Sequence, residues 1–329
     1  MANWIRKKSI FKGIPIIDIA PLVIPNDNSK LIRQTGNEIR DACKNVGFFY
    51  IKNHQIPQSH LDSIIPSIQN FFNLSLEEKM KMHISKSDIF RGYTPLGKEL
   101  TNNKYDWHEC VDFGLDLKAN DPEVINGKQL AGPNQWPENQ RKFKKVLEKH
   151  WNLMIILGKI VTQGLAISLG LSKNYFAPFM SKSHSYMRIS NYPPYENSQK
   201  KNIGDGIGSH IDYGFLTILL QDKIGGLEIK NSNNDWVSAP IIPGTFLINI
   251  GHMIQRWTND YYRATIHRVI PPKNIHRCSL PFFFEPDFDT VVAPLEKFCS
   301  KDNLPRYKPI HFGDYLERTF KTSYSSIIE

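Results

Sequence analysis

The sequence predicts a mixed α and β chain whose C-terminal half is a double-sheet barrel or jelly roll, with helices packed around it. Three observations carry that prediction. After Ser183, eight short β-rich runs follow one another with turn residues between them. Before it, apolar residues recur at helical spacing in several stretches. Between these halves a long periodic stretch reads as a single buried helix. The 329 residues suit one large domain or two intimate ones. No Gly/Ser- or Pro-rich linker divides them, so the helical part is expected to pack on the barrel.

The elements follow in order. Residues 14–18 read as a short strand, residues 29–43 as an amphipathic helix, and residues 46–51 as a β-rich run. Over residues 57–72, Leu61, Ile64, Ile65, Ile68 and Phe72 form one apolar stripe. Ser75, with Glu78 three residues on, is a capping box that opens another short helix. Residues 89–116 read as loop-rich, punctuated by Gly92, Pro95, Gly97 and Gly114. A long helix is expected over residues 138–171 and a short one over residues 172–180. The eight strands are expected at 185–192, 208–211, 216–221, 227–230, 236–238, 245–250, 264–270 and 277–284. A last helix is expected over residues 313–321. Grouped coarsely, residues 1–120 form an α/β region, 121–182 a helical support and 183–329 the barrel core.

Composition narrows the function. The chain is 40% hydrophobic, 22% charged and 12% aromatic, which is ordinary for a globular protein. Its net charge is +9, but the basic residues are scattered, and short runs such as Arg6-Lys7-Lys8 do not interleave with aromatics. No nucleic-acid recognition motif is present; the positive field would instead draw in a small anion. The four cysteines, Cys43, Cys110, Cys278 and Cys299, show no CxxC pairing and read as free thiols of a reducing compartment. The first residues carry no apolar signal-like run. The stretch 151–171 contains Asn152, Lys159, Gln163 and Ser168, and reads as a buried helix rather than a membrane span. A cytoplasmic protein with no membrane and no obligate protein partner is the expectation.

The chemistry sits in two clusters. In His210-Ile211-Asp212, residues two apart on a strand share a face, so one imidazole and one carboxylate point the same way. Gly208 on that face keeps the approach open. His267, far downstream, supplies a second imidazole. Two imidazoles and a carboxylate leave metal positions vacant, which is the ligand set of non-haem Fe(II) oxygen chemistry. Just beyond, Arg277-Cys278-Ser279 places a guanidinium and a hydroxyl on one face. Arg grips a carboxylate bidentately and never loses its charge. Zinc suits the same three ligands, but a hydrolytic site has no need of the Arg-x-Ser pair. Upstream, Arg188, Ser190 and Tyr192 also share a face, and three polar groups pointing into a barrel imply a polar ligand.

These residues resemble the isopenicillin N synthase-like group of Fe(II)/2-oxoglutarate-dependent dioxygenases. The resemblance covers most of the chain. It runs through Ile14–Asp18 and Val46–His54, through Gly206–Thr217 around the first metal motif, and through Gly225-Gly226-Leu227, Pro243-Gly244-Thr245 and Gln255–Asn259. It ends on Arg277–Pro286. The resemblance implies a double-stranded β-helix (jelly-roll) core flanked by N-terminal helices, a long central helix and a C-terminal helix. It implies Fe(II) on His210, Asp212 and His267, and the far carboxylate of 2-oxoglutarate on Arg277 and Ser279, helped by Tyr192; the shared strand face adds Ser190 and Arg188 as co-substrate candidates. O2 would be the oxidant and succinate and CO2 the by-products. Two positions depart from the pattern. Gln55 stands where the family often has Gly, and His252 stands where Asp is common, which opens the question of a role beside the metal.

The substrate side is read from residues 91–109, which resemble the substrate-facing loop of the ethylene-forming-enzyme branch. Glu99 and Thr101 are then candidates to hold an amine or guanidine, with Tyr213 and Phe284 as pocket walls. The leading expectation is an oxygenase that hydroxylates or desaturates a small molecule, amino-acid-like compounds being one class that fits. Two alternatives stay open: an isopenicillin N synthase-type oxidase that does not use 2-oxoglutarate, and a non-catalytic metabolite-binding protein on the same scaffold. The remaining histidines, including His108, have no partner spacing and read as structural.

Overall fold

In the computed structural model, the described residues are 13–24, 28–195 and 204–328. The basic run Arg6-Lys7-Lys8 and the signal-like test of the first residues lie outside them. The strands are β1 (Ile16–Asp18), β2 (Phe48–Lys52), β3 (Gly92–Thr94), β4 (Leu100–Thr101), β5 (Lys104–Tyr105) and β6 (Glu109–Gly114). They continue with β7 (Tyr186–Tyr192), β8 (Ile207–His210), β9 (Leu216–Gln221) and β10 (Leu227–Lys230). Next come β11 (Trp236–Ser238), β12 (Phe246–Ile250), β13 (His267–Val269) and β14 (Arg277–Phe284), and a small pair, β15 (Val291–Val292) and β16 (Ile310–His311), closes the series. All eight expected core strands are present.

They lie in two sheets, an eight-stranded one in the order β1-β2-β12-β9-β14-β7-β6-β3 and a four-stranded one in the order β11-β10-β13-β8, while β4 and β5 pair as a separate hairpin. Together they make the jelly-roll core. Its major sheet is completed by strands from the first 120 residues: β1 and β2 beside β12, and β6 and β3 beside β7. The N-terminal region therefore shares one sheet with the core.

Residues 89–116 correct the loop-rich reading. β6 pairs along its length with β7 and is buried on both faces. Its sequence Glu-Cys-Val-Asp-Phe-Gly looks too polar for an inner strand. The carboxylates are tolerated because Lys79 pairs with Glu109 at 2.8 Å and Arg188 with Asp112 at 2.8 Å. Residues 172–180 hold only a 3₁₀ turn, Ala177–Met180, in which Pro178 withholds an amide hydrogen from any longer helix.

The helices follow the expected periodicity. α1 (Ala20–Val23) and α2 (Ser29–Asn45) precede α3 (Gln58–Phe72). α4 (Leu76–Met80) is capped by the Ser75 hydroxyl, which accepts from the Glu78 amide at 3.2 Å. A one-turn α5 (Pro122–Ile125) leads to the long α6 (Arg141–Ser168), which packs on α2, α3 and β14. By length and composition alone α6 is apolar enough to cross a membrane, although its stretch reads as a buried helix in the sequence. Half of its most apolar stretch is nevertheless buried inside the fold, as in the core helix of a globular protein. Gly158 lets it approach the sheet: a Cβ there would lie 2.5 Å from the Phe284 ring. α7 (His252–Trp257) and α8 (Phe312–Ile328) complete the set, α8 being longer than residues 313–321. Gln55 adopts φ 60°, the left-handed region that glycine enters most easily. This accounts for glycine being common at that position in the family.

The α3–α6 contact carries a pH dependence. His150 is fully buried, both its ring nitrogens lack a partner, and it stacks on His60 at 5.6 Å. Burial, then the nearby His60, pushes its pKa down to about 3. The unfolded chain takes up that proton near pH 6.5, so the stability that neutral His150 preserves is complete above pH 6.5. It is lost as pH falls toward 3, at up to about 1.4 kcal/mol per pH unit. In denaturant titrations at stepped pH, His150→Leu is expected to flatten this acid limb relative to wild type; parallel profiles would refute it.

Candidate active site

The triad forms where the two sheets face each other. β13 runs antiparallel to β8 with His267 directly opposite His210, so their rings meet with centroids 4.2 Å apart. β8 stops at His210, and Asp212 follows on the exit turn rather than on the strand. It still points back: Asp212 Oδ1 lies 3.6 Å from His210 Nε2 and 3.5 Å from His267 Nε2. One ligand atom from each residue lies within 4.8 Å of the others.

The surroundings fix which atoms face inward. His210 Nδ1 is 2.8 Å from the Gly208 carbonyl oxygen and His267 Nδ1 is 3.0 Å from that of Thr265. A carbonyl only accepts, so each Nδ1 carries the hydrogen and each Nε2 keeps its lone pair for a metal. Asp212 Oδ2 accepts from Thr217 Oγ1 at 2.5 Å and Asn249 Nδ2 at 2.7 Å, which leaves Oδ1 free. Burial opposes ionisation of Asp212, but His267 and His210, when their Nε2 atoms are protonated, hold its carboxyl well below the usual range; a cation on the two Nε2 lone pairs would take the place of those protons. Two oriented lone pairs and an ionised carboxylate oxygen fit a divalent cation that keeps open positions. His252 is not part of the set. Its ring faces Tyr315 and Tyr307, and only its backbone amide reaches the site, donating to the Asp212 carbonyl at 2.8 Å.

Beside the triad lies a cavity of about 320 Å³. β14 and β7 are antiparallel neighbours with Arg277 opposite Tyr192 and Ser279 opposite Ser190. Side chains directly opposite share a face, so the four line one cavity wall. Arg277 is 1% exposed and lies over the Tyr192 ring at 4.6 Å. Its Nε donates to the Gly225 carbonyl at 2.5 Å and its Nη2 to Gln221 Oε1 at 3.0 Å. Its Nη1 has no partner, and neither does the buried Ser190 Oγ. A buried, permanently charged donor and a buried hydroxyl left unpaired on one wall call for an anionic ligand. A dicarboxylate fits them.

Two expected residues stand elsewhere. Arg188 lines the cavity, but both its faces are taken. It binds Glu99 through two bonds of 2.9 Å and Asp112 through two of 2.8 Å, and it also contacts Tyr324. It is a scaffold for Glu99 rather than a free carboxylate anchor. Phe284 lies on the far face of β14, against Gly158 of α6. Alternation from Arg277 through Ser279 and Pro281 brings Phe283 into the cavity instead, stacked on Tyr186 at 4.3 Å. Glu99, Thr101 and Tyr213 do line the cavity.

Several residues at the site escaped the sequence reading. His108 Nε2 is 2.9 Å from Glu99 Oε2. Asp112 and Tyr324 hold Arg188 from two remote elements. The cluster Glu99, His108 and Cys110 has metal-like spacing, but the Arg188 cation already occupies Glu99. Burial opposes ionisation of Glu99, yet Arg188 and His108 hold its pKa at about 2.

Known proteins resemble the chain along nearly its whole length. Residues 14–139 match the N-terminal family of non-haem dioxygenases in morphine synthesis, and residues 183–286 match the 2OG-Fe(II) oxygenase superfamily. A homoarginine-6-hydroxylase of Glycine max is 35% identical, the match spanning 95% of this chain and 98% of the relative. A probable iron/ascorbate oxidoreductase of Dictyostelium discoideum is 36% identical over 96% of this chain and 92% of its own. Among solved structures, a full-length Neurospora crassa protein in complex with alpha-KG superposes with TM-score 0.82 at 25% identity. That match covers 94% of this chain and 96% of the Neurospora one. This chain belongs to the isopenicillin N synthase-like family of Fe(II)/2-oxoglutarate-dependent oxygenases, dioxygenases that oxidise a small molecule while 2-oxoglutarate is converted to succinate and CO2.

Proposed function

We propose that His210, Asp212 and His267 hold the iron, that Arg277 and Ser279 bind the far carboxylate of 2-oxoglutarate with Ser190 and Tyr192 beside them, and that the substrate is a cationic, amino-acid-like molecule hydroxylated beside Glu99 and Thr101. Fe(II) on the triad supplies the reductive activation of O2. The protein's part is to orient: Arg277 fixes one end of the co-substrate, while Phe283, Tyr186 and Tyr213 bound the space left for the substrate.

The observation that carries the substrate class is the charge balance of the opposite wall. Glu99 lines the cavity and Asp112 stands behind it, two carboxylates sharing the single guanidinium of Arg188, so an entering cation meets a wall backed by one net negative charge. The homoarginine hydroxylase relative, whose named substrate carries a guanidine, supports the same class. Four free cysteines, three of them buried, fit the cytoplasm as the compartment.

Succinate release over a panel of arginine, homoarginine, lysine, neutral amino acids and pyrimidines, with and without 2-oxoglutarate, tests the reading. A basic amino acid is expected to stimulate 2-oxoglutarate-dependent succinate formation. Glu99→Gln is expected to raise its KM by about tenfold or more, the worth of a charge-assisted hydrogen bond. Stimulation confined to neutral or anionic compounds would overturn the substrate class.

A further inference from the structure

The strand that carries His210 is held from outside the core. The hairpin β4–β5 crosses β8 at Gly208, where an added Cβ would come within 2.8 Å of the Thr101 side chain. Asp106 closes the hairpin, its amide donating to the Glu99 carbonyl at 3.0 Å. Its buried carboxylate then makes two bonds. Oδ2 accepts from Thr101 Oγ1 at 2.7 Å and Oδ1 accepts from the Gly208 amide at 2.9 Å. The carbonyl of the same Gly208 accepts from His210 Nδ1 at 2.8 Å. Asn102 adds a bond of 2.8 Å to the Ser209 carbonyl.

β8 needs this support. Among the described residues it has a single sheet neighbour, β13, and that pairing shifts register between His267 and Val269. The backbone that sets the His210 ring is therefore fixed on one side by an irregular ladder and on the other by Asp106.

We infer that Asp106 is a positioning residue for the iron ligand His210, acting through Gly208, and that it ties the hairpin bearing Glu99 and Thr101 to the metal site. The inference rests on the triad reading above. It assigns Asp106 no contact with metal or substrate. Partners that orient a metal-ligating histidine are typically worth about 10–100-fold in metal affinity, and Asp106 acts one bond further out, so the low end applies.

The test is Co(II) titration of chelator-treated full-length protein, followed by the visible d–d bands, with the thermal midpoint of each variant measured alongside. Asp106→Ala is expected to weaken Co(II) binding about tenfold and to alter the bands. Asp106→Asn, which keeps a carbonyl oxygen for the Gly208 amide, is expected to bind like wild type. Gly208→Ala pushes the hairpin off β8 from the other side and is expected to reproduce the loss. It also carries the test if Asp106→Ala fails to fold. Wild-type affinity and bands in both Asp106→Ala and Gly208→Ala would overturn the inference. So would an Asp106→Asn protein as weak as Asp106→Ala, because charge rather than the Gly208 bond would then be responsible. His267→Ala serves as control: if it binds Co(II) like wild type, the triad assignment itself falls, an outcome distinct from failure at Asp106.

Discussion

His267→Ala is expected to abolish turnover, with 2-oxoglutarate-dependent succinate release down by at least about two orders of magnitude, since even an orienting partner of a ligand is worth about 10–100-fold. The reason is geometric. His210 is part-exposed, while His267 is buried, locked at Nδ1 by the Thr265 carbonyl and braced edge-on by Phe48 at 5.2 Å. Removing its ring deletes one of two nitrogen donors. It also takes one favourable partner from the Asp212 carboxylate, whose burial otherwise opposes its charge. The remaining imidazole and carboxylate cannot hold a labile divalent ion at assay concentrations. Iron content after anaerobic loading and desalting should fall with activity. His267→Gln tests whether an oxygen or nitrogen donor of similar reach restores anything. An Ala variant that retains iron and turns over at the wild-type rate would end the assignment.

Much of this site is legible in the sequence, because its chemistry is packed into short patterns. His210 with Asp212, and Arg277 with Ser279, need only strand alternation to be grouped, and the core strands announce themselves by turn residues at regular intervals. What the sequence hides is partnership across distance. β6 reads as a polar loop because the charges that neutralise Glu109 and Asp112 come from Lys79 and Arg188. Arg188 reads as an open anchor because Glu99, Asp112 and Tyr324 lie on three other elements. His108 looks partnerless because Glu99 reaches it only through the fold of the hairpin. Phe284 is a different kind of miss. The alternation that pairs Arg277 with Ser279 already assigns Phe283, not Phe284, to their face, so the signal was present. Asp212 is the converse: it lies beyond the end of β8, yet its bonds to Thr217 and Asn249 aim it where strand alternation predicts.

Arg277→Ala is expected to raise the 2-oxoglutarate requirement by about 30-fold or more, because removing one partner of a buried, hydrogen-bonded charge pair costs about 2–5 kcal/mol. The effect should fall on KM for 2-oxoglutarate, with Fe(II) or Co(II) binding unchanged, since Arg277 touches neither histidine nor Asp212. Arg277→Lys should recover only part of the loss. Lysine restores a charge, but its compact ammonium lacks the wide, fixed fork by which the guanidinium reaches the Gly225 carbonyl, Gln221 and a carboxylate from three separate nitrogens. Nor can it stack on Tyr192 as the planar guanidinium does. Ser279→Ala removes a hydroxyl rather than a charge and should cost less, about tenfold at most. That order, Ala worse than Lys at position 277 and both worse than Ser279→Ala, is what distinguishes a carboxylate anchor from a structural arginine. A structural arginine would lower the melting temperature and kcat together. A 2-oxoglutarate KM unchanged in Arg277→Ala would move the co-substrate's far carboxylate away from this wall.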